Sequence, residues 1–149
     1  MNWNNDKSAV LSRVCVAVFA AFLLALDVGA YRLSAWFAQV RLMHRQLGVL
    51  LMVSIYAGSI FAWICLYQLW RLLGNVRRGE VFVPANVRCM RLVSWCCVGA
   101  AAVCALSAAY YPPFAFIAVA AGFMALIVRI VKNAFAQAIA MKDELELTV

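Results

Sequence analysis

The sequence is short of charge, of histidine and of the cysteine spacings that redox and metal chemistry use. Only 13% of its 149 residues are charged, and six of those are acidic, where soluble domains carry about a quarter charged residues. That shortage argues against an ordinary water-soluble domain. His44 is the only histidine. With no second imidazole, and no carboxylate or thiol beside it, it offers neither a metal site nor a general base. Six cysteines are present, but no C-x-x-C. Cys15, Cys65, Cys96, Cys97 and Cys104 lie within apolar runs, and only Cys89 sits in a polar flank. They read as small buried hydrophobes. No reactive thiol pair and no base-and-nucleophile set can be assembled, so the chain is expected not to be an enzyme, with no cofactor and no metal.

What the sequence has instead is apolar length. Hydrophobic residues make up 68% of it and its mean hydropathy is +0.92. This predicts an all-α integral membrane protein, a single domain built as a four-helix bundle. The expected spans are residues 9–28, 47–70, 92–109 and 114–131. The first run has no small-x-small site leading into a soluble domain, so it is expected to remain as a span.

Between the first two spans, Leu33, Trp36, Phe37, Val40, Met43 and Leu47 recur every three or four residues. Residues 31–46 therefore suit an amphipathic helix in the membrane interface, or a polar extension of the first span. Small residues mark the later spans: Ser54, Gly58 and Ala62; Ala101, Ala105 and Ala109; Ala118 and Gly122. These are places for close helix approach, and they leave homo-oligomerisation open. Tyr110, Tyr111, Pro112 and Pro113 form a tight connection that makes the last two spans an antiparallel hairpin.

Of the six acids, only Asp27 falls inside an apolar run. An acid there is a functional candidate by default; the plainer reading is an interfacial carboxylate near Arg32. The net charge of +7 sits at the ends of the spans, where it sets topology and meets anionic headgroups; direct nucleic-acid binding is not expected. Ten of the 13 basic residues fall on the side of the termini and the 71–91 loop, against Arg32, Arg41 and Arg45 on the other. The positive-inside rule then puts both termini and that loop in the cytoplasm.

The loop itself, GNVRRGEVFVPANVRCMR from Gly74 to Arg91, is dense in turn devices. Gly74 and Asn75 are placed to end the second span in a left-handed residue, and Gly79 permits a bend. Residues 80–83 alternate like a strand, Pro84 breaks the ladder, and Asn86 is placed to cap the next helix. The tail, residues 132–149, continues the last helix through Phe135 and Ile139, then ends KDELELTV. The alternation of Leu145, Leu147 and Val149 suits a short strand or a frayed helix end. A ribbon between residues 81–83 and 145–149 follows as one option, with Asp143, Glu144 and Glu146 neutralising Arg77, Arg78 or Arg88. Each such surface pair contributes only about 0–1 kcal/mol.

The order Asn75, Gly79, Phe82, Asn86, Arg91 between the second and third spans resembles the YoaS-like family of bacterial membrane proteins of unknown function (DUF2975). The alanine-rich tail with its acidic cluster and Leu-Thr-aliphatic end is similar too. Where many members have an Asn-Asp pair, this chain has Leu145-Glu146. The resemblance covers four spans in the same order. It implies a bacterial plasma-membrane protein that acts as a modulator or anchor of a small helix-turn-helix regulator encoded beside it. The contact would be made through the loop (Asn75, Arg77, Arg78, Gly79, Phe82, Asn86, Arg88, Arg91) and the tail (Asp143, Glu144, Glu146, Leu147, Val149). A small transporter or channel subunit, with Asp27 as its intramembrane acid, is the competing expectation.

Overall fold

Helix-forming apolar runs without internal proline give four long helices in the computed structural model, which describes residues 3–40 and 45–148. The side chains of residues 3–9, Ala38, Val40, Arg45, Gln46 and Glu146 fall outside that description. Expectations resting on Arg41, Met43, His44 and Val149, and on the Lys7, Arg45 and Glu146 side chains, therefore lie outside the described residues. Helix α1 runs Trp3–Val40, α2 Arg45–Arg77, α3 Pro84–Ser107 and α4 Phe114–Thr148.

All four are long and apolar enough to cross a membrane, and their outer surfaces are strongly hydrophobic: Phe19, Phe116 and Val119 are among the exposed side chains. Exposed apolar surface on this scale has a place only against lipid. The chain is a multi-pass membrane protein whose helices contact the bilayer. The helices pack in chain order, α1 on α2, α2 on α3 and α3 on α4, and close backbone approaches among the described residues are confined to those successive pairs.

The α3 helix is the shortest, and its inward face is the most deeply covered. Asn86, Cys89, Val93, Cys96 and Ser107 are its buried residues, recurring at the three- and four-residue spacing of a packed helix seam. The alanine row expected to do this packing does not: Ala105 and Ala109 are exposed. The close approach of α2 to α3 is made at Gly99, where an added Cβ would collide with the Phe61 ring. Gly58 and Gly122 have open space where a Cβ would go. Between α3 and α4, Ala125 is buried and its carbonyl accepts a 3.1 Å bond from Ser94 Oγ.

Residues 31–40 continue α1 without a break, which favours the polar-extension reading for that stretch. Ser34 on it, and Ala30 just before it, are buried. At the α3–α4 connection, Ser107 Oγ and Tyr110 Oη both donate to Ser54 Oγ at 2.8 Å. Phe37 and Tyr111 meet edge to face at 5.4 Å between ring centres. The prolines act as expected: the Pro112 and Pro113 carbonyls accept the first backbone bonds of α4, at 2.9 and 3.2 Å.

No strand occurs among the described residues. Residues 145–148 are the last turn of α4, so the ribbon with residues 81–83 does not form. An α4 already helical at Phe135 propagates at one hydrogen bond per residue, and nothing in KDELELT interrupts it.

Candidate functional site

The α2–α3 connection is built from the end of α2 outward. Helix α2 continues past Gly74 and Asn75, which are helical, and stops at Gly79, whose φ is +80°. Glu80 N donates to the Asn75 carbonyl at 3.1 Å and Gly79 N to the Val76 carbonyl at 3.0 Å. This paired arrangement closes a helix on a left-handed residue, and glycine adopts that conformation without a Cβ penalty. Gly79 thus takes the terminating role that the sequence suggested for Gly74 and Asn75. An extended Val83, as a residue before proline must be, leads into Pro84 at the start of α3.

Asn86 does not cap α3; the residue preceding the helix is Val83, which makes no side-chain cap bond. Asn86 lies in the first turn, fully buried, with its amide turned back under the loop. Its Nδ2 donates to the carbonyls of Glu80 and Val81, both at 2.8 Å, and its Oδ1 accepts from Asn75 Nδ2 at 2.8 Å. One side chain therefore ties the end of α2, the loop and the start of α3 together. Phe82 lies against Phe135 of α4, with ring centres 5.6 Å apart. Loop and tail do meet, through two rings.

Arg77, Arg78 and Arg88 are exposed around this knot. Asp143 and Glu144 form no ion pair with them among the described residues. The reason is reach: Pro84 and Ile139 line one cleft, and α4 carries the acids on for about 1.5 Å per residue past that level. Arg91 lines that cleft too and reaches on into a groove between α3 and α4.

A second, partly buried polar cluster joins α1 to α2. Asp27 accepts from Ser59 Oγ at 2.5 Å and from Trp63 Nε1 at 2.8 Å, while Tyr56 Oη reaches its backbone carbonyl at 3.2 Å. Arg32 is no partner, since five residues of helix turn it roughly 140° around the axis; it lines an outer hollow with Leu26 and Gly29. Ser59 and Trp63 flank Phe61, which meets Gly99. About 12 Å of helix rise separates Gly99 from Arg91 on one side and from Ser107 on the other. Asp27 is therefore level with the middle of α2, bonded to that helix and not, as expected, paired with Arg32. Sequence reasoning missed its partners, which stand 29 to 36 residues away.

Nearer the termini, the Arg13 guanidinium stacks over Trp70 at 5.2 Å and comes against Gly74. A thiol contact joins Cys65 to Cys97 across α2 and α3; all six cysteines are free. Among the described residues no group of His, Cys, Asp or Glu is arranged to hold a metal.

A family model described as "Protein of unknown function (DUF2975)" matches residues 14–149. The chain belongs to this family. No curated protein and no solved structure matches it. The DUF2975 match takes in all of the α2–α3 knot, the Asp27 cluster and the tail.

Proposed function

We propose that this DUF2975 protein is a non-enzymatic regulatory membrane protein. In this reading the α2–α3 knot and the α4 extension form a cytoplasmic platform that anchors or modulates a small helix-turn-helix regulator. The observation that carries it is the buried Asn86 amide, which spends its hydrogen bonds holding a short loop in one shape. A loop that served only to set topology has no need of such a clamp. Around it Arg77, Arg78 and Arg88 stand exposed, and Phe82 is half-exposed beside Phe135. Rigid apolar and cationic groups on one surface suit a partner with an acidic face.

The test is co-purification of the neighbouring regulator from membranes. Phe82→Ala, and separately deletion of residues 144–149, are expected to abolish capture while the protein still inserts. Capture retained by both variants overturns the reading.

The placement of Asp27 inside an apolar helix, level with the middle of α2, supports a second reading, a small transporter or channel subunit in which an oligomer encloses the path. Against it, both carboxylate oxygens already accept bonds from α2. Unchanged transport by Asp27→Asn in a reconstituted assay removes that option.

A further inference from the structure

Three cations converge on one groove that the preceding reading does not use. Arg91 of α3 and Arg129 and Lys132 of α4 line it together with Ser94, Trp95 and Val98, around a hollow of about 420 Å³. Among the described residues no carboxylate lines it, and none of the three cations makes an ion pair. The Ser94 hydroxyl is already committed to the Ala125 carbonyl. Three like charges facing one space repel, and at the edge of a bilayer they also lose hydration; an anion between them relieves both costs.

The groove is polarised along the bilayer normal. Its charged mouth lies at the end of the molecule that carries the α2–α3 knot. Trp95 and Val98 are exposed one and two turns deeper on α3. Cationic mouth and apolar, aromatic floor match a lipid with a phosphate at one end and acyl chains at the other. They match no soluble anion so well. A second basic cleft, lined by Arg88 and Arg91 with Val87, Ala136 and Ile139, adjoins the first through Arg91.

We infer that the α3–α4 groove is a binding site for an anionic phospholipid of the leaflet on the loop side, whose phosphate sits among Arg91, Arg129 and Lys132 and whose acyl chain lies along Trp95 and Val98. Recognition is by net negative charge, so phosphatidylglycerol is taken in preference to the zwitterionic phosphatidylcholine. Arg91 then acts at the membrane, and the partner surface is left to Arg77, Arg78 and Arg88.

Full-length protein in phosphatidylcholine vesicles doped with a small fraction of phosphatidylglycerol brominated on its chains tests this. The Trp95 signal is taken as the difference between wild type and Trp95→Phe. Brominated phosphatidylglycerol is expected to reach half-maximal quenching of Trp95 at about one-fifth the mole fraction that brominated phosphatidylcholine needs. That factor is what about one basic residue near an anionic surface supplies. Arg91→Gln, Arg129→Gln and Lys132→Gln together are expected to bring the ratio to about one, while Arg77→Gln with Arg78→Gln leaves it near five. A ratio near one in wild type overturns the proposal, as does an excess that survives the triple substitution. Weak quenching by both lipids that rises as protein is diluted assigns the groove to a second copy of the chain, and equally overturns it.

Discussion

Asn86 on α3 and Asp27 on α1 each make two or more side-chain hydrogen bonds, and they are held in opposite ways. Asn86 is fully buried and serves a segment close to it in sequence: the carbonyls of Glu80 and Val81 and the amide of Asn75. Asp27 is only partly buried, and its partners Ser59 and Trp63 come from another helix. The first fixes the shape of a loop; the second fixes one helix against its neighbour. Groups that shape a surface for recognition need the first kind of bonding. Groups that hold a bundle in register, or that change state within it, use the second.

Replacing Asn86 tests the contrast most severely. Asn86→Leu removes three hydrogen bonds and leaves two carbonyls facing an apolar side chain. A loss of about 3 kcal/mol is expected from the usual cost of unsatisfied buried groups. The measurable signature is local: hydrogen exchange at residues 78–83 should rise far more than in α1 or α4. A uniform rise across the four helices would show that Asn86 holds the bundle and not the loop.

Asp27→Ala is the matching break between α1 and α2. It strips the acceptors from Ser59 and Trp63, but hydrogen bonds between membrane helices are weak, so about 1–2 kcal/mol is expected. The loss should appear in unfolding of the α1–α2 pair and in Trp63 emission, with exchange at residues 78–83 unchanged. If the loop loosens as well, the two clusters are coupled and the contrast between them fails.

Gly79→Ala sharpens the loop side with a smaller change. The left-handed φ of +80° at Gly79 costs an alanine about 1 kcal/mol. Because the Asn86 bonds survive, loop exchange should rise by no more than about tenfold, well below that of Asn86→Leu.

How much of this could be read from the residues alone divides along the same line. The four membrane segments were legible because apolar runs of that length have one stable home. Pro112 and Pro113 were legible because proline constrains its own neighbours, whereas Pro84, read as the break in a strand ladder, opens α3. Within the loop, Asn75, Gly79 and Asn86 stood out as turn residues, yet their duties were misassigned. Local pattern shows that an asparagine is out of place in a helix but not which way its amide points, so a clamp and a cap look alike. Asp27 was visible as an oddity, but its partners come from a different helix, 29 to 36 residues away. Gly58 and Gly122 drew notice through their spacing, while Gly99, where Phe61 seats, has no small neighbour four residues away to advertise it. Leu145 and Leu147 alternate, but a helix already running decides their conformation.

The smallest expected effect belongs to Asp27→Asn, and it separates structure from charge at the α1–α2 cluster. An asparagine there can still accept from Trp63 Nε1 through its oxygen, and its amide can donate to Ser59 Oγ, whose own proton is then free to turn back to its helix. Both partners are kept, so stability should move by less than about 0.5 kcal/mol. Trp63 emission should stay where it is in the wild type. If Asp27 serves only to hold α1 on α2, capture of the regulator by Asp27→Asn should also be unchanged. A stable, well-packed Asp27→Asn protein that no longer captures the regulator would show that the carboxylate charge matters at a distance from the loop. The two clusters would then be parts of one device, with the state of Asp27 transmitted along α2 to Asn75, where the Asn86 clamp begins.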